Sequence, residues 1–179
     1  LMAALCSPYY DYSPVLSSKK GDELVISSSR PASYGGDSDP ITGEDFADLY
    51  VSKRDKKGKW DMPKVLNNTV NTSSHEGAAS FTKKMDVMYF TRCEVSDNDR
   101  FGCDIFWAKK QGKNYATPNL IPIRAEGDDS TTVGHPFISS DSKFMLFASN
   151  MPGGFGGKDL YYITYDKRAD AWGTPVNLG

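Results

Sequence analysis

Residues 135–150 read HPFISSDSKFMLFASN and contain two runs of strand-forming residues around a polar turn at 139–143. Apolar, β-branched and aromatic residues on both sides of Ser, Asp and Lys are typical of a β-hairpin. Counterparts occur twice earlier, as SPVLSSKKGDELVISSS at 13–29 and GAASFTKKMDVMYFTR at 77–92. The chain therefore contains three copies of one hairpin.

Two further features recur with the same period. An Asp that opens an apolar and aromatic run is found at Asp48, Asp104 and Asp159, spaced by 56 and 55 residues. An aromatic residue with Pro three positions later follows each Asp, and these pairs are Trp60 and Pro63, Tyr115 and Pro118, and Trp172 and Pro175. Counting strands gives four per copy, which is typical of the blades of a β-propeller.

The sequence thus predicts an all-β fold of three four-stranded antiparallel blades, at 10–67, 68–123 and 124–179, with 1–9 as the end of a preceding blade or a linker. Propellers have typically four to eight blades. We therefore expect an excerpt of a five- to seven-bladed propeller. The alternative is that two copies associate to give six blades.

Composition excludes several classes of partner. The 179 residues carry 21 Lys and Arg against 23 Asp and Glu, a formal charge of −2 that gives no electrostatic reason to expect nucleic acid. No apolar run approaches the roughly 20 residues of a membrane helix, so we expect no membrane insertion by this segment.

These hairpins also resemble a known family. The stretch at 135–150, with HEGAASF at 75–81 and MYFTR at 88–92, is similar to the WD-repeat-like, TolB-type propeller repeats of bacterial periplasmic proteins. It resembles in particular those of OmpA-family lipoproteins in Bacteroidetes, such as the peptidoglycan-binding accessory component of the type IX secretion system. Two turns depart from the family's pattern, at 82–86 and at Ser142, where Gly is expected.

The resemblance implies a non-catalytic scaffold that holds protein partners in a periplasmic, envelope-anchored complex. Peptidoglycan would be bound through another domain, and the full-length protein would carry an outer-membrane lipid anchor. The alternative is a propeller module of a carbohydrate-active enzyme or peptidase whose catalytic residues lie elsewhere. Convergent carboxylates at the axial mouth would favour that alternative.

The cysteines predict one disulfide. Cys93 and Cys103 lie at the end of one strand and the start of the next, so they can face each other across a hairpin. Such a bond implies an oxidising compartment, whereas reduced thiols would leave the location open. We expect Cys6 to be unpaired and buried.

The remaining polar residues favour structural roles. Three Asp at equal spacing are more simply acceptors of backbone N–H bonds than catalytic or metal carboxylates. His75 and His135 occupy different blade positions and predict no metal site. The Gly-rich segment at 151–159 lacks a P-loop ending, so it reads as a hairpin loop. We expect no catalytic residue and no cofactor.

The loops between second and third strands are the candidate contact surface. They run at 27–46, 92–103 and 149–158 and leave consecutive blades on the same side, where they would form one rim. Loops held by a rigid scaffold commonly carry binding function. The candidate rim residues are Arg30, Tyr34, Arg100, Phe101 and Phe155.

Overall fold

The computed structural model describes residues 4–31, 34, 38–39, 43–95, 101–125, 127–128 and 130–179. Its strands form three antiparallel sheets, and the described residues contain no helix. The first sheet has the order β1 (Asp11–Leu16), β2 (Glu23–Ser28), β3 (Asp48–Lys53) and β4 (Lys64–Val65). The second comprises β5 (His75–Phe81), β6 (Val87–Val95), β7 (Phe101–Gln111), β8 (Asn114–Tyr115) and β9 (Asn119–Leu120). The third comprises β10 (Val133–Ile138), β11 (Phe144–Ser149), β12 (Asp159–Asp166), β13 (Ala171–Trp172) and β14 (Val176–Asn177).

The outermost strand of each sheet is divided in two by a proline. Strands β8 and β9 both pair with β7 on either side of Pro118, and β13 and β14 both pair with β12 on either side of Pro175. In the first sheet a bridge between Arg54 and Trp60 precedes Pro63, and β4 follows it. Proline has no N–H to donate to the ladder, so it interrupts the pairing. Each sheet is therefore four-stranded, with a broken outer strand, as the aromatic and Pro spacing predicts.

The three sheets stack as blades, with their inner strands β1, β5 and β10 next to one another. Apolar residues from two sheets fill each interval between blades. The first interval contains Val25, Leu49, Leu66, Val70, Phe81, Met88, Phe90, Ala108 and Tyr115. The second contains Ile105, Ile121, Val133, Ile138, Met145, Phe147, Tyr161 and Ile163. Burial of these side chains supplies the main attraction between the blades.

The inner strands approach the preceding blade at a repeated bulge. The register of β5 and β10 shifts at this point, and Ala78 and His135 have φ values of 48° and 55°. The N–H of Ala78 donates to Ser27 Oγ at 3.0 Å, and the N–H of His135 donates to Thr91 Oγ1 at 2.8 Å. These bonds pair one buried and one partly buried backbone donor with hydroxyls of the neighbouring sheet.

A glycine precedes the bulge in β5 and in β10, at positions where a side chain would crowd the neighbouring sheet. A Cβ built on Gly77 would lie 3.0 Å from the Tyr12 hydroxyl and 3.2 Å from Ser27 Oγ. A Cβ on Gly134 would lie 2.9 Å from Thr91 Cγ2. The two blade junctions therefore use the same close contact.

We expect Gly134→Ala to lower the free energy of unfolding by about 1–3 kcal/mol, because the new methyl overlaps the Thr91 methyl. Thr91→Ser removes that methyl and keeps the hydroxyl that accepts the His135 N–H, so the double variant should recover most of the loss. Urea denaturation of the parent chain, the two single variants and the double variant measures the coupling energy between the two substitutions. Gly157→Ala is the matched control, because among the described residues nothing lies within 4 Å of a Cβ there. Additive effects of the two substitutions would contradict the contact.

The turns between first and second strands share one conformation despite their different sequences. Gly21, Met85 and Ser142 have φ values of 65°, 58° and 56°. The N–H of each donates to the carbonyl three residues earlier, at 3.1, 2.8 and 2.8 Å respectively. The two departures from the family's turn pattern thus keep the turn and place a non-glycine residue in left-handed backbone.

We expect Ser142→Gly to raise the free energy of unfolding by about 0.5–1 kcal/mol, because glycine adopts positive φ without a steric penalty. Ser140→Gly is the control two residues earlier, where φ is not positive, and it should leave stability unchanged or lower it. Urea denaturation curves of the two variants decide the point. Equal effects of both substitutions would show that the turn is not strained.

Candidate functional site

The three loops between second and third strands leave corresponding ends of the three blades. The final strand pairs before the loops are Ser28 with Asp48, Val95 with Phe101, and Ser149 with Asp159. The loops therefore cover 29–47, 96–100 and 150–158, and they define the rim. The middle loop and parts of the first lie outside the described residues.

Phe155 is the most exposed aromatic residue of the described rim. Its exposed fraction is 84%, although it lies in a loop held at several points. Asp159 Oδ2 accepts the N–H groups of Phe155 at 2.9 Å and Gly156 at 3.2 Å, and the Tyr161 hydroxyl donates to the Met151 carbonyl at 3.0 Å. The loop thus presents an apolar ring to solvent from a fixed backbone.

Gly154 allows this arrangement. A Cβ at this position would collide with the Asp159 carboxylate and would lie 3.3 Å from the Tyr161 hydroxyl. Residues 150–158 form the loop of a hairpin between β11 and β12, which confirms the hairpin loop predicted for 151–159. The bracing role of Asp159 could have been found from the position of the recurrent Asp at the end of the loop.

Arg30 does not contribute a side chain to the rim surface. Its exposed fraction is 8%, and it lies inside the first blade. Its guanidinium donates to Asp11 Oδ1 at 2.5 Å, to the Leu5 carbonyl at 2.8 Å and to Ser28 Oγ at 2.8 Å. The prediction of Arg30 as a contact residue is wrong, because its guanidinium is buried and already hydrogen-bonded to groups of this chain.

The other three predicted rim residues are placed as follows. Tyr34 is partly buried, and its N–H donates to Asp48 Oδ2 at 2.7 Å. The backbone of Phe101 pairs with Val95 at the first position of β7. Arg100 lies outside the described residues. Among these candidates, Phe155 and Tyr34 are the side chains that the structure locates on the rim side.

The predicted disulfide is present. Cys93 and Cys103 face each other on β6 and β7 and are bonded. The bond lies two residue pairs from the loop end of the ladder, where it ties β6 to β7. Cys6 is a free thiol and is exposed, so the expectation that it is buried is wrong. Its neighbour Leu5, rather than Cys6, is the residue that packs on the first blade.

The recurrent Asp has two kinds of partner. Asp48 and Asp159 accept backbone N–H bonds from their rim loops, which confirms the structural interpretation for these two copies. Asp104 instead forms a two-pronged pair with Arg124, whose Nε lies 2.7 Å from its Oδ1. Arg124 also donates to the Asp128 carbonyl at 2.8 Å. The carboxylates of Asp48, Asp104 and Asp159 therefore each hold a chain segment in place, by hydrogen bonds, at the end of the sheet from which the rim loops leave.

A pair of buried carboxyl groups lies where the first and second blades meet. Asp48 and Glu76 both have an exposed fraction of 0%, and the Glu76 N–H donates to the Ala47 carbonyl at 2.7 Å. Burial raises the pKa of Asp48 to about 7, and the neighbouring Glu76 charge adds to that rise. Burial also raises the pKa of Glu76, although Thr72 and Arg92 hydrogen-bond to its carboxylate. The sequence gives no signal of this pair, because the two residues are far apart in the chain.

The raised pKa of Asp48 predicts a loss of stability with rising pH. The folded chain keeps this proton up to about pH 7, whereas the unfolded chain releases it near pH 4, so the free energy of unfolding falls as pH rises between these values. Asp48→Asn should flatten that dependence, because its amide carries no titrating proton and can donate to Glu76. Urea denaturation between about pH 5 and pH 8 provides the measurement.

Asp159→Asn is the matched control for this prediction. It occupies the same position of the third blade, where the carboxylate accepts two backbone N–H groups. Its stability between about pH 5 and pH 8 is measured beside that of Asp48→Asn, and an equal change of slope in both variants would show that the effect does not depend on the buried position of Asp48. The same slope in Asp48→Asn as in the parent would show that Asp48 does not hold the proton.

The inner strands of all three blades line an open groove of about 420 Å³. Its lining is mainly apolar and includes the bulge residues Ser13, Ala78 and His135; none of the described lining residues is an Asp or Glu. Burial lowers the pKa of His135, and the Lys158 charge lowers it further. No convergent carboxylates are therefore found in the described part of the groove.

The second histidine belongs to the blade junction. His75 Nδ1 accepts the Ala47 N–H at 3.0 Å, and its Nε2 lies 3.2 Å from Asp39 Oδ2. Burial lowers the pKa of His75, while the Asp39 charge opposes that effect.

Within the described ranges, no three His, Cys, Asp or Glu side chains form a group that could hold a metal ion. In the same residues, no helix is long and apolar enough to cross a membrane.

Solved structures identify the class of fold. The chain superposes on TolB from Acinetobacter baumannii with a TM-score of 0.52 and 16% identity, covering 96% of this chain and 33% of TolB. It superposes on a thermostable family-43 glycoside hydrolase with a TM-score of 0.51 and 12% identity, covering 98% of this chain and 60% of the hydrolase. The chain thus spans about a third of the length of TolB and three fifths of that of the hydrolase.

These likenesses, at low identity, concern the fold alone. Together with the three stacked sheets, they define this chain as a TolB-like β-propeller module. No protein-family model matches the sequence, and no curated protein matches it.

Proposed function

We propose that this module is a non-catalytic scaffold that binds a protein partner through its rim, within an envelope-anchored complex of the periplasm. The observation that carries the proposal is the exposed Phe155 ring on its braced loop. A ring that is presented by a pre-ordered backbone loses little conformational entropy on binding. Aromatic residues, Phe among them, are enriched in the cores of protein interfaces relative to the rest of the surface.

The disulfide supports a periplasmic location. Bonds such as Cys93–Cys103 persist in oxidising compartments and are rare in the cytosol. The closer assignment, to OmpA-family proteins and to type IX secretion, rests on the hairpin motifs described above. In that assignment peptidoglycan is bound by another domain and a lipid anchors the full-length protein in the outer membrane.

The absence of carboxylates from the described groove lining supports a non-catalytic role. Glycoside hydrolysis commonly uses two carboxyl groups that flank the scissile bond, and Asp48 and Glu76 are too deeply buried to reach a sugar. Activity of the full-length protein on aryl glycosides or peptides, lost on substitution of a residue in this chain, would instead favour the enzymatic alternative.

Site-specific photo-crosslinking tests the scaffold proposal. A photoreactive amino acid is placed at position 155 of the full-length protein in its native bacterium, and at Met62 in a parallel strain. Met62 has an exposed fraction of 67% and lies beside the outer strand of the first blade, so it controls for exposure. Position 155 should give a discrete adduct with one envelope protein, identified by mass spectrometry, that position 62 does not give.

The identified partner then allows an affinity measurement. Phe155→Ala should weaken binding by about 30-fold, which corresponds to about 2 kcal/mol for a central interface residue. Asp159→Asn should weaken binding less, because it loosens the loop and keeps the ring. The proposal is overturned if positions 155 and 62 give the same adducts, or if Phe155→Ala leaves the affinity unchanged.

A further inference from the structure

The turns that join first to second strands and third to fourth strands lie at the end of the blades opposite the rim. In each sheet these two turns are neighbours, because the second and third strands pair along their whole length. Lys110 Nζ of the second blade donates to Glu23 Oε1 of the first at 2.8 Å, so corresponding ends of these blades are aligned. We call this end the turn end, and it comprises 17–23, 53–61, 82–87, 109–114, 139–143 and 166–171.

Positive charge is concentrated at the turn end. Its segments contain 15 of the 21 Lys and Arg of the chain but only 8 of the 23 Asp and Glu, which gives a formal charge of +7. The rest of the sequence has 6 Lys and Arg against 15 Asp and Glu, a formal charge of −9. The net charge of −2 conceals this separation, so it gives no reason to exclude an anionic partner at this end.

Nearly all of these cations face solvent. Fourteen of the fifteen are exposed, and Lys110 is partly buried. Within the part of the chain that the structure describes, three of the fifteen form ion pairs, Lys53 and Lys110 with Glu23, and Lys143 with Asp141. The remaining twelve form none there, so most of the positive charge is available to a partner.

The carboxylates of the turn end are engaged mainly in their own turns. Asp55 Oδ1 accepts two backbone N–H groups of its turn, at 2.8 and 2.9 Å, and Asp86 accepts the Thr82 hydroxyl at 2.6 Å. The Thr82 bond lowers the pKa of Asp86, and the charges of Lys84 and of Lys19 from the first blade lower it further. Cations of two blades thus act on one carboxylate, which shows that the positive potential continues from blade to blade.

The chemistry of the turn end fits a phospholipid surface better than a nucleic acid or a folded protein. Thirteen of its fifteen cations are Lys, a flexible and strongly hydrated point charge, whereas protein interfaces are enriched in Arg and depleted in Lys. Its one aromatic residue, Trp60, is buried, so nucleic-acid bases have no exposed ring on which to stack. None of the cations lines the groove between the inner strands, so they form a broad surface rather than a cleft.

We propose that the turn end binds the headgroups of an anionic phospholipid bilayer, by charge and without insertion. Each Lys or Arg near such a surface strengthens binding about fivefold at low salt. The bilayer repels the negative charge of the rest of the chain, so the bound module is oriented with the rim and Phe155 away from the lipid. This surface is separate from the rim and does not depend on the partner of the rim.

Vesicle partition of the full-length polypeptide, purified without attached lipid, tests the proposal. It should bind vesicles of about one part phosphatidylglycerol to two parts phosphatidylcholine at low salt. Salt at about 1 M should release it, because the Debye length then falls to about 3 Å. Equal binding to vesicles of phosphatidylcholine alone, or no binding to the anionic vesicles, overturns the proposal. Tighter binding to a DNA duplex or to polyglutamate at the same salt would assign the turn end to another class of partner and also overturns it.

Two pairs of substitutions locate the binding surface. Lys57→Gln with Lys84→Gln should weaken partition into the anionic vesicles by about fivefold for each charge removed. Lys64→Gln with Lys158→Gln is the matched control, because it removes the same charge from exposed positions outside the turn end. The control pair should weaken partition much less, and an equal loss in both pairs would contradict the proposed surface.

Amine labelling of the parent protein covers the case in which a variant does not fold. An N-hydroxysuccinimide ester modifies exposed Lys side chains, and mass spectrometry reports the rate at each position. With anionic vesicles present, Lys57, Lys84 and Lys113 should be modified several-fold more slowly, while the rates at Lys64 and Lys158 stay as in the free protein. Equal protection of the two sets, or protection of Lys64 and Lys158 alone, would show that another part of the protein meets the lipid.

Discussion

The structure depends on the contact at which each inner strand meets the preceding blade. There the backbone of β5 or β10 bulges, and its N–H leaves the ladder and donates to the hydroxyl of Ser27 or Thr91. Gly77 and Gly134 make the approach possible, because a side chain at either position would overlap that hydroxyl residue. Once this contact fixes the distance between blades near the axis, the apolar faces further out can close on each other without gaps.

Much of this architecture can be predicted from the sequence, because its signals are local. The hairpins, the spacing of Asp48, Asp104 and Asp159, and the aromatic and Pro pairs each depend on a few neighbouring residues. Their period is sufficient to predict three four-stranded antiparallel blades. The disulfide is predictable for the same reason, since Cys93 and Cys103 lie on adjoining strands of one hairpin.

The site is less predictable, because it depends on contacts between distant residues. Arg30 is charged and lies beside a loop, which favours exposure. Its side chain is nevertheless buried in the first blade, where it donates hydrogen bonds to Asp11 and to the Leu5 carbonyl. The Asp48 and Glu76 pair arises where two blades meet, and no spacing along the chain indicates it. Asp104 shares its sequence position with the other two Asp residues but bonds to Arg124, a residue without a counterpart in the motif.

The broken outer strands have a consequence for behaviour in a crowded compartment. A long, regular strand at the margin of a sheet offers a row of free backbone groups on which foreign chains can assemble into fibrils. Pro63, Pro118 and Pro175 remove a donor from each margin and divide it into pieces of two residues or a single bridge. The circumference of the propeller is thereby made a poor template for aggregation, whatever partner its rim receives.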